Sequence, residues 1–245
     1  MTFSDIQNHI HTIAPFDAAE EWDNVGLLVG SPATEATGIL VALDATTDAI
    51  HAAVKAGANL LVTHHPVIFE PLRRLEADSL PYRLAAAGVG LLAAHTNLDK
   101  ATGGVNDTLA ELLGLTDVTP AADGLCRIGR LSAPMEPAAF ARLVAQRLDT
   151  PVRLGGNRPV STVAVCGGSG GDFIEELCPV ADAYVTGEVK HHQWLAANEA
   201  GLTLVEAGHY ATEVPVVAAL CDRLREAFPA LPIIPYYEEP YTTLK

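Results

Sequence analysis

Short apolar runs alternate along the chain with amphipathic stretches that stop at glycine. Ile39-Leu40-Val41-Ala42-Leu43 is continuously apolar and predicts a strand covered on both faces, and residues 48–56 then read as a helix stopped at Gly57. Asn59-Leu60-Leu61-Val62 predicts the next strand, which runs into Thr63-His64-His65-Pro66. A helix over 80–87 stops at Gly88. The apolar run 89–94 follows and ends in His95-Thr96-Asn97-Leu98-Asp99, and a helix over 106–113 closes this half at Gly114.

The second half repeats the rhythm. Residues 161–165 predict a strand entering Gly167-Gly168-Ser169-Gly170-Gly171, and 183–185 a shorter one ending at Thr186-Gly187-Glu188. A helix over 189–200 stops at Gly201, and a strand over 203–206 leads into Ala207-Gly208-His209-Tyr210-Ala211-Thr212-Glu213. Thr212 is suited to cap the last long helix, with Pro215 in its first turn and Val216, Val217, Leu220 and Leu224 on its buried face. The fold class is α/β with an internal pseudo-repeat. Helix, Gly88, strand, His95 and Asp99 answer to helix, Gly201, strand, His209 and Glu213, with His-x-x-x-carboxylate as the shared pattern.

Composition narrows the function. The 245 residues, 49% of them hydrophobic, suffice for one large domain or two small ones. The N-terminal stretch Thr2 to His9 reads as polar, without the basic flank and apolar core of an export signal, and no apolar run reaches bilayer-spanning length, so a soluble cytoplasmic protein is expected. Cys126, Cys166, Cys178 and Cys221 are scattered, which suggests neither a thiolate zinc site nor a disulfide framework. A formal net charge of −15 with 15 Lys and Arg argues against nucleic-acid binding. An anionic small molecule would have to be attracted by local cations, and bound metal ions would be the strongest of these.

Candidate chemistry lies at the strand ends, where ligands gather in alternating α/β folds. Two adjacent imidazoles at the end of a buried strand both need partners, and metal ligation would supply them. Each element also has an ordinary reading: His64 and His65 as a packed pair, His95 with Asp99 as a capped turn, Gly208-His209 with Thr212-Glu213 as a helix start. Taken jointly, three strand ends presenting His, two with a carboxylate four residues on, favour a metal site built from His64, His65, Asp99, His209 and Glu213. The glycine loop reads equally as a tight turn or a phosphate cradle. It lacks the P-loop Lys, and Phe173 stands where the dinucleotide fingerprint requires its last Gly. Arg73 and Arg74, shortly after the histidine pair, read as solvated loop residues or as contacts for an anionic substrate, and are left out of the site.

Trp22-Asp23-Asn24-Val25-Gly26-Leu27, Thr63-His64-His65-Pro66, His95-Thr96-Asn97-Leu98-Asp99, Gly187-Glu188-Val189-Lys190-His191-His192 and Gly208-His209-Tyr210-Ala211-Thr212-Glu213 occur in order over nearly the whole chain. Together they resemble the motifs of the Nif-three-like dinuclear metal centre proteins, widely labelled GTP cyclohydrolase 1 type 2 homologues. The resemblance implies two interlinked α/β domains, residues 1–125 completed by 205–245 and residues 126–204, with the site at strand C-terminal ends between them. It further implies two divalent metal ions per chain and a toroidal homohexamer. His64 and His65 would serve different metals, Asp99 and His209 one each, and Glu213 both. The span from Cys126 to Arg158 has little room for the inserted domain some members carry, so this is similar to the compact form.

Imidazole with carboxylate suits zinc, iron, manganese, cobalt or nickel. Two such ions sharing a carboxylate would activate water for attack on a guanine ring or a phosphoester. His95, Glu188 and His191 are the candidates for proton transfer or for support of the ligands, with an ordinary helix start as the other reading of His191 and His192. Trp22-Asp23-Asn24 reads as the site mouth or as a fixed turn. The expected function is therefore a dinuclear metal-dependent hydrolase of a nucleotide or related small molecule; the alternative is a non-catalytic metal-binding or partner-binding hexameric scaffold.

Overall fold

Apolar runs too short to be helices, each followed by an amphipathic stretch, build two sheets. The computed structural model describes residues 1–242. The chain forms two units, one of Met1–Thr102 with the segment from Val216 onward and one of Gly103–Pro215.

In the first unit the chain runs through α1 (Phe3–Ile13), β1 (Gly26–Val29), β2 (Ile39–Ala42), α2 (Thr47–Lys55), β3 (Leu60–Thr63), α3 (Leu80–Ala86), β4 (Gly90–Ala93) and α4 (Thr96–Lys100). The second unit holds α5 (Val105–Leu112), β5 (Thr116–Ala121), β6 (Cys126–Met135), α6 (Pro137–Leu148), β7 (Arg153–Gly155), β8 (Val160–Cys166), α7 (Ile174–Leu177), β9 (Ala183–Thr186), α8 (His191–Glu199), β10 (Thr203–Glu206) and α9 (His209–Glu213). α10 (Pro215–Ala227) then leads back to β11 (Ile233–Pro235), which joins the first sheet.

The first sheet has the order β1-β4-β3-β2-β11. β11, β2, β3 and β4 are parallel neighbours, and β1 lies antiparallel on β4. Every residue of β2, β3 and β4 is buried, as continuous apolar runs require when both faces are covered. Leu40, Ile50, Leu61, Leu84 and Leu91 form the centre of one layer of this core.

The second sheet has the order β5-β6-β8-β9-β10-β7, with β8, β9 and β10 parallel. Its core joins Leu109, Phe140, Val144, Val163, Val185 and Val205 on one side and Ile174, Leu177, Tyr184 and Leu204 on the other. The unit boundaries therefore fall at 102/103 and 215/216 rather than at 125/126 and 204/205. Leu109 and Ala110 in α5 and Leu113 just beyond it belong to the second core, and β10 pairs within the second sheet.

The pseudo-repeat extends to whole sheets. In each unit three parallel strands follow in sequence order and an antiparallel strand that precedes them in the chain lies against the last: β1 with β2-β3-β4, and β7 with β8-β9-β10. The register corrects the expected correspondence by one residue. Thr63 pairs with Ala93 and Thr186 with Glu206, so Gly208 stands where His95 does, and His209 answers to Thr96. α4 and α9 are both five residues long and confirm this count. His95 occupies the N-cap position of its helix without a side-chain cap, whereas His209 is the first residue inside one.

Two local expectations differ from the structure. The N-terminal stretch that reads as polar is an amphipathic helix: Phe3, Ile6 and Ile10 are buried, and Thr2 and Asp5 close a reciprocal cap. Thr212 does not cap α10. Its hydroxyl lies inside α9, donating back to the Gly208 and His209 carbonyls and accepting from the Gly168 amide.

Phe3 locks α1 to the first sheet by closing over Gly90, where an added Cβ would stand 2.4 Å from the Phe3 ring. Gly90→Ala is expected to destabilise the protein by about 1–3 kcal/mol through overpacking, measurable as a lower denaturation midpoint at unchanged m-value.

Candidate metal centre

In the first unit, the parallel ladder continues one step beyond the strands and fixes the histidine pair. The His64 amide donates to the Ala42 carbonyl at 3.3 Å and the His65 amide to the Leu43 carbonyl at 3.0 Å. The Thr63 hydroxyl closes the turn onto the His65 carbonyl at 2.8 Å. The two imidazoles meet different partners at Nδ1.

Those partners fix the tautomers. His64 Nδ1 lies 3.0 Å from the Ala94 carbonyl oxygen, His65 Nδ1 2.8 Å from Asp44 Oδ1, and His95 Nδ1 3.0 Å from Asp23 Oδ1. A carbonyl can only accept, as can an ionised carboxylate, so each Nδ1 carries a proton and each ring turns its Nε2 the other way. Burial pushes the Asp23 carboxyl upward, but hydrogen bonds from His95 and from the side chain and amide of Thr96 outweigh it and hold the group at about 2. It is therefore ionised at neutral pH.

The three rings cluster. Centroids lie 4.9 Å apart for His64 and His65, 5.1 Å for His64 and His95, and 5.5 Å for His65 and His95. One ring nitrogen from each lies within 4.8 Å of the other two. Asp99, on α4, brings Oδ1 to 3.7 Å from His64 Nε2. Histidines whose Nδ1 protons are held by carboxylate or carbonyl oxygens are the usual form of metal-binding imidazoles, and this donor set fits a borderline divalent cation.

In the second unit, His209 stands between two carboxylates. Its Nε2 is 3.0 Å from Glu213 Oε2, one helical turn away, and its Nδ1 is 3.2 Å from Glu188 Oε1. Glu213 is almost wholly buried while Glu188 is largely exposed. Ser169 donates its hydroxyl to the other Glu188 oxygen.

The glycine loop makes room for Glu213. Gly168 has φ +62°, and a Cβ on it would fall 2.1 Å from Glu213 Oε1 and 3.1 Å from His209 Nε2. The Gly168 carbonyl accepts the amides of Gly187 and Glu188, which joins the glycine loop to the end of β9.

The structure thus brings His64, His65, His95 and Asp99 together in the first unit, and His209, Glu213 and Glu188 in the second. His191 is different. It is exposed at the start of α8, which begins there rather than at Val189, and it makes no hydrogen bond or ion pair with the other candidates. Gln193 is the residue of that turn that faces inward, where its amide meets Asp172 at 2.7 Å. Three supporting groups escaped the sequence reading: Asp44, the Ala94 carbonyl and Gly168. Asp44 was findable, as a carboxylate just past a buried strand. The carbonyl carries no side-chain signal, and Gly168 is hidden among equivalent glycines.

A family model described as Duf34/NIF3 (NGG1p interacting factor 3) matches residues 1–240. A Clostridium perfringens protein named GTP cyclohydrolase 1 type 2 homolog is 34% identical over 241 residues, covering 92% of each chain. Among solved structures, a hypothetical protein of Staphylococcus aureus matches with TM-score 0.93 at 27% identity, over 100% of this chain and 99% of that one. Reduced HcgD from Methanocaldococcus jannaschii matches with TM-score 0.85 at 31% identity, over 96% and 97%. Among the described residues no helix is long and apolar enough to cross a membrane.

Gly168→Ala separates backbone strain from the contact with Glu213. Gly57 has a similar φ of +73° with nothing within 4 Å of a Cβ, so Gly57→Ala carries the strain alone. The expected result is about 1 kcal/mol of destabilisation for Gly57→Ala and clearly more for Gly168→Ala, read from chemical denaturation of the two variants.

Proposed function

The chain belongs to the DUF34/NIF3 family, and from that premise we propose that it is a dinuclear metal-dependent hydrolase of a nucleotide or related small molecule. His64, His65, Asp99, His209 and Glu213 would hold the two divalent ions, His64 and His65 serving different ions and Glu213 both. The observation that carries this reading is the set of three imidazoles whose Nδ1 protons are engaged by the Ala94 carbonyl, Asp44 and Asp23. Nothing in ordinary packing calls for three histidines at adjacent strand ends whose Nδ1 atoms all meet acceptor oxygens.

When bound, the ions supply Lewis acidity and concentrated positive charge to the reacting group. The chain's own residues do the rest. Asp44 and Asp23 fix the rings of His65 and His95. His95, held 5.1 and 5.5 Å from the ligand rings, is positioned to exchange a proton with a bound molecule. Glu188 holds His209 from its Nδ1 side and, being exposed, can also relay a proton to solvent. With a net charge of −15, the protein offers an anionic substrate little attraction elsewhere. The names of the curated relatives favour a guanine nucleotide among possible substrates, and a homohexamer is the assembly proposed with them.

Metal analysis of the purified protein tests the centre. Wild type is expected to hold two divalent ions per chain, and Glu213→Ala and His65→Ala to hold fewer. Equal metal in wild type and Glu213→Ala would reject the ligand set. Asp44→Ala is expected to weaken metal affinity about 10–100-fold without unfolding the chain, as competition with a chelating dye reports. Metal-loaded protein should then turn over GTP, a phosphoester or a cyclic amide. Full metal content with no turnover in that screen would favour the non-catalytic scaffold.

A further inference from the structure

The proposed centre accounts for the imidazoles but not for two aromatic side chains beside them. Trp22 is 62% exposed and Phe69 52% exposed. Both nevertheless converge on one imidazole from separate loops. The Trp22 ring meets His95 edge to face at 6.0 Å and 75°, and the Phe69 ring meets the same imidazole at 5.9 Å and 85°. Both side chains stay more than half exposed beside that contact, which leaves aromatic surface available to a further ring.

Their loops are braced. Asn24 donates its side-chain amide to the Ile68 carbonyl at 2.6 Å, tying the Trp22 loop to the Phe69 loop. Asp23 is anchored by the Thr96 amide at 3.0 Å and by His95. Trp22 thus adjoins a residue that orients an imidazole, and Phe69 adjoins the carbonyl that holds the Trp22 loop in place. Trp22, Phe69 and the three imidazoles all belong to the first unit.

We propose that Trp22 and Phe69 form a stacking platform that recognises a planar heteroaromatic ring, such as a purine base, and holds it beside His64, His65 and His95. This rests on the reading of those imidazoles as part of the reaction centre and adds to it the chemical class of the substrate. Exposed aromatic side chains beside polar nitrogens suit a flat ring with hydrogen-bonding edges, and would gain nothing from an aliphatic phosphoester. Every base has a π-face, so the platform binds purines with little discrimination between them.

The chain has two tryptophans, so Trp194→Phe leaves Trp22 as the sole indole reporter. Guanosine, adenosine and ribose are titrated into this protein, metal-free and metal-loaded, while Trp22 fluorescence is followed. Both nucleosides are expected to quench it saturably and ribose not at all. Stacking on an aromatic side chain is worth about 1–3 kcal/mol per base, so Phe69→Ala should raise the nucleoside Kd about tenfold, and Phe69→Tyr should leave it nearly unchanged. Absence of saturable quenching, an equal response to ribose, or equal Kd values for Phe69→Ala and Phe69→Tyr would overturn the proposal. Should Trp194→Phe not fold, equilibrium dialysis of labelled guanosine against the native chain and Phe69→Ala gives the same comparison. Metal content after loading separates the two readings: full metal without nucleoside binding rejects the platform alone, and nucleoside binding by a chain that takes up no metal on loading rejects the centre alone.

Discussion

The hydrogen bonds at the far sides of the imidazoles are the constraint on which the rest of the candidate site depends. A histidine ring has two nitrogens and can turn about two bonds, so a strand end alone fixes neither its orientation nor its tautomer. In this chain the Ala94 carbonyl, Asp44 and Asp23 each take an Nδ1 proton, which commits His64, His65 and His95 to present Nε2. Those acceptors are themselves held by the fold. Ala94 directly follows β4 and its amide extends the ladder onto Thr63, Asp44 stands just beyond β2, and Asp23 is kept ionised by Thr96 and His95. The parallel sheet is therefore the device that orients the rings, because its register sets which strand ends stand side by side.

The second unit reaches a comparable result by different means. Its three parallel strands have the same order as those of the first, yet the residues at their ends differ in type. Where the first sheet has Asp44 and the histidine pair, the second has Gly168, Gly187 and Glu188, and the absence of side chains at the glycines is what admits Glu213 and the backbone of His209. Duplicated topology has been filled once with donors and once with space. The shift of one residue between His95 and His209 belongs to the same divergence, since one imidazole sits at the cap and the other inside the helix.

Much of this organisation was legible in the chain. Continuous apolar runs marked β2, β3 and β4 because both of their faces are covered, and glycine stops at 57, 88, 114 and 201 marked helix ends because each has a positive φ. Less was legible where sequence pattern and packing part company. α1 was missed because its buried residues Phe3, Ile6 and Ile10 are diluted by polar neighbours. Thr212 looks like a cap in sequence, but a close approach of Gly168 turns its hydroxyl inward. Of the candidate site residues, those at strand ends were found by position, whereas His191 owed its place only to a motif and stands exposed on a helix start. Supporting groups such as the Ala94 carbonyl have no side-chain signature and appear only when the strands are paired.

The central claim concerns which atoms would hold metal, and anomalous X-ray diffraction from crystals of the metal-loaded protein tests it most directly. Two anomalous peaks per chain are predicted, one bonded to His64 Nε2 and the other to His65 Nε2, with a Glu213 oxygen on each and every Nδ1 still engaged by its present partner. A single peak, ligation through Nδ1, or metal bound away from these residues would contradict the account.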